Sequence, residues 1–212
     1  ANVLVNNAAM FGQDDWHGMD LHTLQAHFRL NLFTPLLLAK EIVLAAQGAG
    51  RPAIIHILDQ RITNPHGDQI SYTLSKQALA ASVRSMAASF GTAARVNGVA
   101  PGLVISTDDY DEKLENRLAH MMPLDALPSP EAVAEAVLYL ARAVDVTGQT
   151  LFVDGGAHLK SFDRDFMHLC KVHSQRTRQT WIPSPRTPTD SSHSGTLPLA
   201  ICAHNPEGSF LV

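Results

Sequence analysis

Tyr72 and Lys76, four residues apart in the run Ser71-Tyr72-Thr73-Leu74-Ser75-Lys76, are the pair whose spacing speaks most directly of chemistry. On a helix this spacing puts a phenol and an ammonium on one face, about one turn apart. A phenol with its ordinary pKa of about 10 is a poor acid–base group at neutral pH. A neighbouring cation favours the phenolate, so Lys76 is expected to lower the pKa of Tyr72 and fit it for proton transfer. Standing alone, the pair also describes a half-buried tyrosine beside a surface lysine. The residues around it decide.

Asn6-Asn7-Ala8-Ala9 follows a short apolar run, and Asn31 falls in the next helical stretch. Asp59 ends a second apolar run, and Asn97-Gly98-Val99-Ala100-Pro101-Gly102 closes a third. With Tyr72 and Lys76 in this order, the set resembles the short-chain dehydrogenase/reductase family over about residues 1–160. That family has an Asn-Asn-Ala-Gly turn, a helix asparagine, a serine thirteen residues before the tyrosine, a Tyr-x-x-x-Lys pair and a Pro-Gly loop. Asp59 stands thirteen residues before Tyr72. The resemblance implies an NAD(P)-dependent oxidoreductase in which Tyr72 gives a proton to the substrate while hydride arrives from the cofactor. It implies that Lys76 also donates to the nicotinamide ribose hydroxyls, and that Asn31 holds a water in a proton relay. It places Asn7 and Ala8 beside the adenosine side of the cofactor. Pro101, Gly102, Leu103 and Val104 would run along the nicotinamide, followed by Ser106 or Thr107 in the place of a usual serine or threonine.

Two departures from the family pattern carry further expectations. No Thr-Gly-x-x-x-Gly-x-Gly sequence, the turn that cradles a pyrophosphate at a helix N-terminus, occurs in the 212 residues. The chain is therefore expected to be the C-terminal part of the fold, truncated at the N-terminus. The second departure is Asp59 itself, where most members carry serine. A serine hydroxyl donates to a carbonyl oxygen, whereas an ionised carboxylate only accepts and repels an alkoxide. An aspartate here suits a substrate that brings N–H groups or a nitrogen to be protonated. Pteridine and dihydromonapterin reductases have aspartate at this place, and Ile54–Lys76 and Val153–Leu159 resemble theirs. The expected reaction is NADPH-dependent reduction of a dihydropterin-like C=N bond, with NADP(H) favoured over NAD(H). Alternatives are a carbonyl or alcohol oxidoreductase of the same family, or a non-catalytic interaction module. Asp59 turned away to cap the loop 60–68 is the structural alternative for that residue.

The elements that must position these groups follow from hydrophobic patterning. Val3–Val5, Ala53–Leu58, Arg95–Val99 and Thr150–Val153 read as buried parallel strands. Asp20 can cap a helix through Leu24, Phe28 and Leu32 to about Ala46, and a second helix runs from about Ser71 to Phe90. Ser129-Pro130-Glu131 starts a third. Alternating strands and helices predict an α/β, Rossmann-like doubly wound parallel sheet. Met121, Met122 and Leu124 either line a substrate pocket or pack, and Asp108–Glu115 is expected to be a solvated loop face. His56 is expected to be structural.

Composition sets the outer bounds. Hydrophobic residues make up 45% and charged residues 17%, an ordinary globular balance. A net charge of −4 offers no footprint for nucleic acid or an anionic membrane. The chain reads as cytoplasmic, with a small-molecule substrate and, by resemblance, self-association through the helices beginning near Asp20 and Ser71. None of the eleven histidines has convincing metal-ligand spacing, so no metal is expected. Residues 1–168 are expected to form the domain. Residues 169–212, rich in Ser, Thr, Pro and Arg, read as a disordered or non-native tail, with Cys170 and Cys202 as spectator thiols or a disulfide.

Overall fold

Four short runs of β-branched and aliphatic residues pair into one parallel sheet in the order β1 (Val3–Asn6), β2 (Ala53–Ile57), β3 (Arg95–Pro101) and β4 (Thr150–Val153). The computed structural model describes residues 2–46, 50–104 and 112–169. Chain contacts divide the protein into Ala1–Arg176 and Thr177–Val212, and everything described lies in the first unit. Ser106, Thr107, Cys170, Cys202 and the tail from Lys171 lie outside the described residues. The register pairs Val5 with Ile55, Ile55 with Asn97, and Val99 with Leu151.

Parallel strands need crossovers, and helices supply them on both faces. One face carries Ile54, Leu58, Val96 and Ala100 against Ala39, Leu79, Val83 and Ala87 of two long helices. The opposite face sets Ala53, Ile55 and Val99 against Leu140 of a third. Val3 and Val5 share that opposite face and remain 45% and 41% exposed.

The first long helix starts at Asp20, whose carboxylate accepts the Thr23 N–H at 2.7 Å. It runs as α1 (Leu21–Phe28), a π-turn (Arg29–Phe33) and α2 (Thr34–Ala46). Residue 35 is proline and has no N–H, while the Thr34 N–H reaches back to the Arg29 carbonyl. The Asn31 carbonyl therefore lacks its ordinary donor four residues on. Helix α3 (Ile70–Phe90) ends at Gly91 with φ +53°. Helix α5 (Pro130–Arg142) has Ser129 as N-cap and proline at its start. Its last carbonyls have no helical donors. Buried Arg95 on β3 supplies them, donating to the carbonyls of Leu140, Ala141 and Ala143 at 2.7–2.8 Å.

The chain departs from the sequence reading between β3 and α5. Glu112–Met121 is a helix, α4, not a solvated loop face. Leu114, Leu118 and Met122, spaced by four, bury one stripe against Ala157 and Phe166, while the charged residues face water. Met122 therefore packs, and Leu124 is 74% exposed. A short helix, α6 (Phe166–Leu169), closes this cluster. No described helix is long and apolar enough to cross a membrane.

Candidate active site

Asn6, Asp59, Pro101–Gly102 and Asp154 all lie at or just beyond the carboxyl ends of parallel strands, the edge where open α/β sheets hold ligands. Helix α3 begins there, and its entry is tightly specified. Gln69 adopts φ +49°, a left-handed conformation that costs a non-glycine residue energy. Three interactions hold it: its N–H donates to the Asp14 carbonyl at 2.8 Å, its side-chain amide donates to Gln13, and its side-chain oxygen accepts from Arg61. The Asp14 carboxylate accepts the Ser71 N–H at the positive end of the helix. This entry directs Tyr72, in the first turn, back over the end of β2.

The Tyr72 hydroxyl donates to Asp59 Oδ2 at 2.9 Å. Burial pushes this phenol well above its ordinary pKa, and the Asp59 carboxylate pushes the same way against the smaller pull of Arg61. The direction is opposite to the sequence expectation that Lys76 lowers it. Lys76 stands 5.8 Å from the Tyr72 ring centroid and donates its Nζ to the Ile57 carbonyl at 2.7 Å. Its own pKa falls to about 8, because burial disfavours the ammonium more than Asp59 favours it. Tyr72 is thus a neutral hydroxyl that donates its hydrogen bond to Asp59.

Asp59 both meets Tyr72 and caps the turn Gln60–Ile62, so the two readings of this residue are not exclusive. Its Oδ1 accepts the Arg61 backbone N–H at 2.8 Å and Arg61 Nε at 3.2 Å, leaving Oδ2 to Tyr72.

Asn31 is buried in the π-turn, and its side-chain hydrogen bonds go to Met10 and Ser75. Its amide oxygen accepts the Met10 N–H at 2.7 Å, and its nitrogen donates to the Met10 carbonyl and to Ser75 Oγ. Ser75 Oγ in turn donates to the Tyr72 carbonyl. Asn31 therefore clamps the segment after β1 onto the helix that carries Tyr72 and Lys76.

Asn7 and Ala8 are exposed just past β1; the buried asparagine of that turn is Asn6, bonded to His56 Nδ1 at 3.0 Å. Burial, with Lys76 adding, lowers His56 to about 4, so the ring is neutral at pH 7. Pro101 and Gly102 cross close over β4. A Cβ on Gly102 would lie 2.9 Å from the Asp154 Cα, so only glycine lets this backbone pass. Val104 follows, and Ser106 lies outside the described residues. Among the described residues no three His, Cys, Asp or Glu side chains gather as metal ligands.

Several site residues were missed from sequence. Arg61 is buried between Asp59, Gln69 and Asp165. Its guanidinium carbon lies 5.6 Å from the Phe11 ring centroid and 5.4 Å from that of Tyr72. Phe11 packs edge-on against Tyr72 at 4.8 Å and is half exposed toward the open side. Only the proximity of Arg61 to Asp59 in sequence offered a signal. Asp165 comes from beyond the last strand, and no local pattern points to it.

Comparison with known proteins agrees with this geometry. Residues 1–158 match the family described as enoyl-(acyl carrier protein) reductase. Dihydromonapterin reductase of Citrobacter koseri is 30% identical over 139 residues, 65% of this chain and 58% of that protein. The ketoacyl reductase 2 assigned to the granaticin polyketide synthase of Streptomyces violaceoruber is 38% identical over 115 residues, 52% of this chain and 46% of that protein. The chain thus spans about half the length of these curated relatives. Among solved structures, FolM alternative dihydrofolate reductase 1 of Brucella suis in complex with NADP superposes with a TM-score of 0.69 at 30% identity. That match covers 78% of this chain and 66% of the other.

Proposed function

The chain belongs to the short-chain dehydrogenase/reductase family, and we propose that its protein is an NADP(H)-dependent reductase of a dihydropterin-like C=N bond. One observation carries the substrate class: the Tyr72 hydroxyl meets a carboxylate, Asp59, at 2.9 Å, where a ketone reductase needs a second donor. Similarity to dihydromonapterin reductase and to the Brucella enzyme solved with NADP supports the same reading.

The residues present fit a nicotinamide cofactor on the site's own geometry. Lys76 has three N–H donors and spends one on Ile57, which leaves donors for ribose hydroxyls. The backbone 101–104, brought close to Asp154 by Gly102, would follow the nicotinamide, with Asn7 and Ala8 toward the adenosine. When bound, the cofactor supplies the hydride. The chain's own groups move the proton. The Asp59 carboxylate would take the Tyr72 proton at Oδ2 and pass it to the substrate nitrogen, leaving Tyr72 as the group to be reprotonated. Lys76 and a water on the Asn31 carbonyl, whose usual donor Pro35 lacks, would resupply Tyr72. Exposed Phe33, Leu37, Leu38 and Leu44 on the first long helix offer a surface for self-association, part of the same proposal.

A carbonyl oxidoreductase is the second reading, favoured by the ketoacyl reductase relative. Asp59 speaks against it, because an acceptor-only carboxylate repels the developing alkoxide. A panel assayed with the whole protein and NADPH decides. Dihydropterins should turn over, and ketoacyl thioesters, simple ketones and sugars should turn over poorly. Efficient ketoacyl reduction without dihydropterin turnover would overturn the proposal.

The lowered pKa of Lys76 gives a further prediction. The ammonium is the form that donates to the ribose, and burial makes it lose its proton at about 8. Cofactor affinity should therefore be level below that pH and weaken above it, by at most about tenfold per pH unit. Calorimetric titration of NADPH across pH, with Lys76→Arg as comparison, measures this. Lys76→Arg should remove the alkaline weakening; a wild-type affinity that rises above pH 8 would contradict it.

A further inference from the structure

We infer that Arg61 is the positioning residue of the Asp59–Tyr72 pair and that Asp165 holds it in place, which makes the segment 162–166 part of the working site. The inference rests on the reductase reading above, because it concerns how Asp59 is held for proton delivery.

Arg61 is 6% exposed, and its five N–H donors need acceptors. Nε donates to Asp59 Oδ1, which also accepts the Arg61 backbone N–H, and together these fix the carboxylate and turn Oδ2 to Tyr72. Nη1 donates to Gln69 Oε1 at 2.9 Å and Nη2 to Asp165 Oδ2 at 3.1 Å. One side chain thus reaches the reacting carboxylate, the helix entry that aims Tyr72, and a carboxylate 104 positions along the chain. The rings of Phe11 and Tyr72 flank it.

Asp165 is itself anchored. Its N–H donates to Asp68 Oδ2 at 2.7 Å, and Arg164 forks onto both oxygens of Asp68 at 2.9 Å. Phe162 and Phe166 seat the segment in the cluster with Leu118 and Met122. The charged groups facing one another are Asp59, Asp68 and Asp165 against Arg61, Arg164 and Lys76. His66, buried between Asp68 and Asp165, is held toward its neutral form by burial and by Arg61. Asp15 adds a further carboxylate toward Arg164, and His168 faces Asp68. Removing Arg61 leaves Asp59 without its closest cation and free to rotate away from Tyr72.

The test uses the whole protein with NADPH and a dihydropterin. Arg61→Met should lower kcat roughly 100-fold, as a misplaced reacting group does, with cofactor affinity close to wild type. The pH profile of kcat/KM should change as well, because Arg61 is the cation that pulls the Tyr72 pKa down. Arg61→Lys should keep the pH profile and recover part of kcat, since an ammonium keeps the charge without the fork. In an Asp59→Ser background, Arg61→Met should add little further loss, as expected of a residue that acts through Asp59. Wild-type kcat and pH profile in Arg61→Met overturn the inference, as does an equal loss in the Asp59→Ser background. Should Arg61→Met not fold, Asp165→Asn carries the test: it should lower kcat in the same direction, and wild-type kinetics there overturn the inference. Failure of the reductase reading itself is seen separately, as undiminished dihydropterin turnover in Asp59→Ser alone.

Discussion

Tyr72→Phe is expected to lower turnover by about 10²–10⁴-fold, the usual cost of losing a general acid. The substitution removes one oxygen from a side chain that is 7% exposed, and it keeps the edge-on packing against Phe11. Shape and cofactor affinity should therefore stay close to wild type. What is lost is the hydroxyl that donates to Asp59 Oδ2, and with it the proposed source of the proton that Asp59 passes on. Lys76→Ala should behave differently. Lys76 is proposed both to bind ribose and to support Tyr72, so cofactor affinity and turnover should fall together. Single-turnover rates measured beside cofactor dissociation constants separate the two patterns. Wild-type turnover in Tyr72→Phe would contradict Tyr72 as the donor.

The raised pKa of Tyr72 describes the pair at rest: burial and the facing carboxylate hold the phenol neutral, with its proton in place.

Much of the fold was legible because its signals are local. Four apolar strands, the Asp20 and Ser129 caps and the Gly91 stop are each written within a few residues, and the elements stand within a residue or two of where patterning put them. Helix α4 escaped because its first turn carries Glu112, Lys113 and Glu115, which read as solvated. The spacing of Leu114, Leu118 and Met122 was the signal that outweighed them. The site divides along the same line. Tyr72, Lys76, Asp59 and Asn31 keep a spacing that sequence preserves. Asp14, Gln69, Arg61 and Asp165 meet only through the tertiary fold, across up to 104 positions. The pKa of Tyr72 was misjudged for a related reason: spacing showed the lysine one turn away, but burial and the facing carboxylate outweigh it.

Asp59→Ser decides the substrate class. In the proposed reaction the substrate nitrogen gains a proton as hydride reaches the adjacent carbon, and only a group able to carry that proton can stand between the nitrogen and Tyr72. Serine restores the donor that a ketone reductase uses but cannot act as that acid. Asp59→Asn nearly keeps the shape and should not rescue, since an amide cannot carry the proton. Tyr72 donates to Asp59 at 2.9 Å and its pKa is raised by burial and by that carboxylate, so the pH profile should change shape when either is replaced. The measurement is kcat/KM for a dihydropterin and for a ketone panel, across pH, in the whole wild-type protein and in Asp59→Ser, with NADPH affinity determined alongside. Dihydropterin reduction is expected to fall by about 10²–10⁴-fold in Asp59→Ser, with NADPH affinity close to wild type and weak ketone activity level or raised. Equal dihydropterin turnover in the two proteins would contradict the proposal.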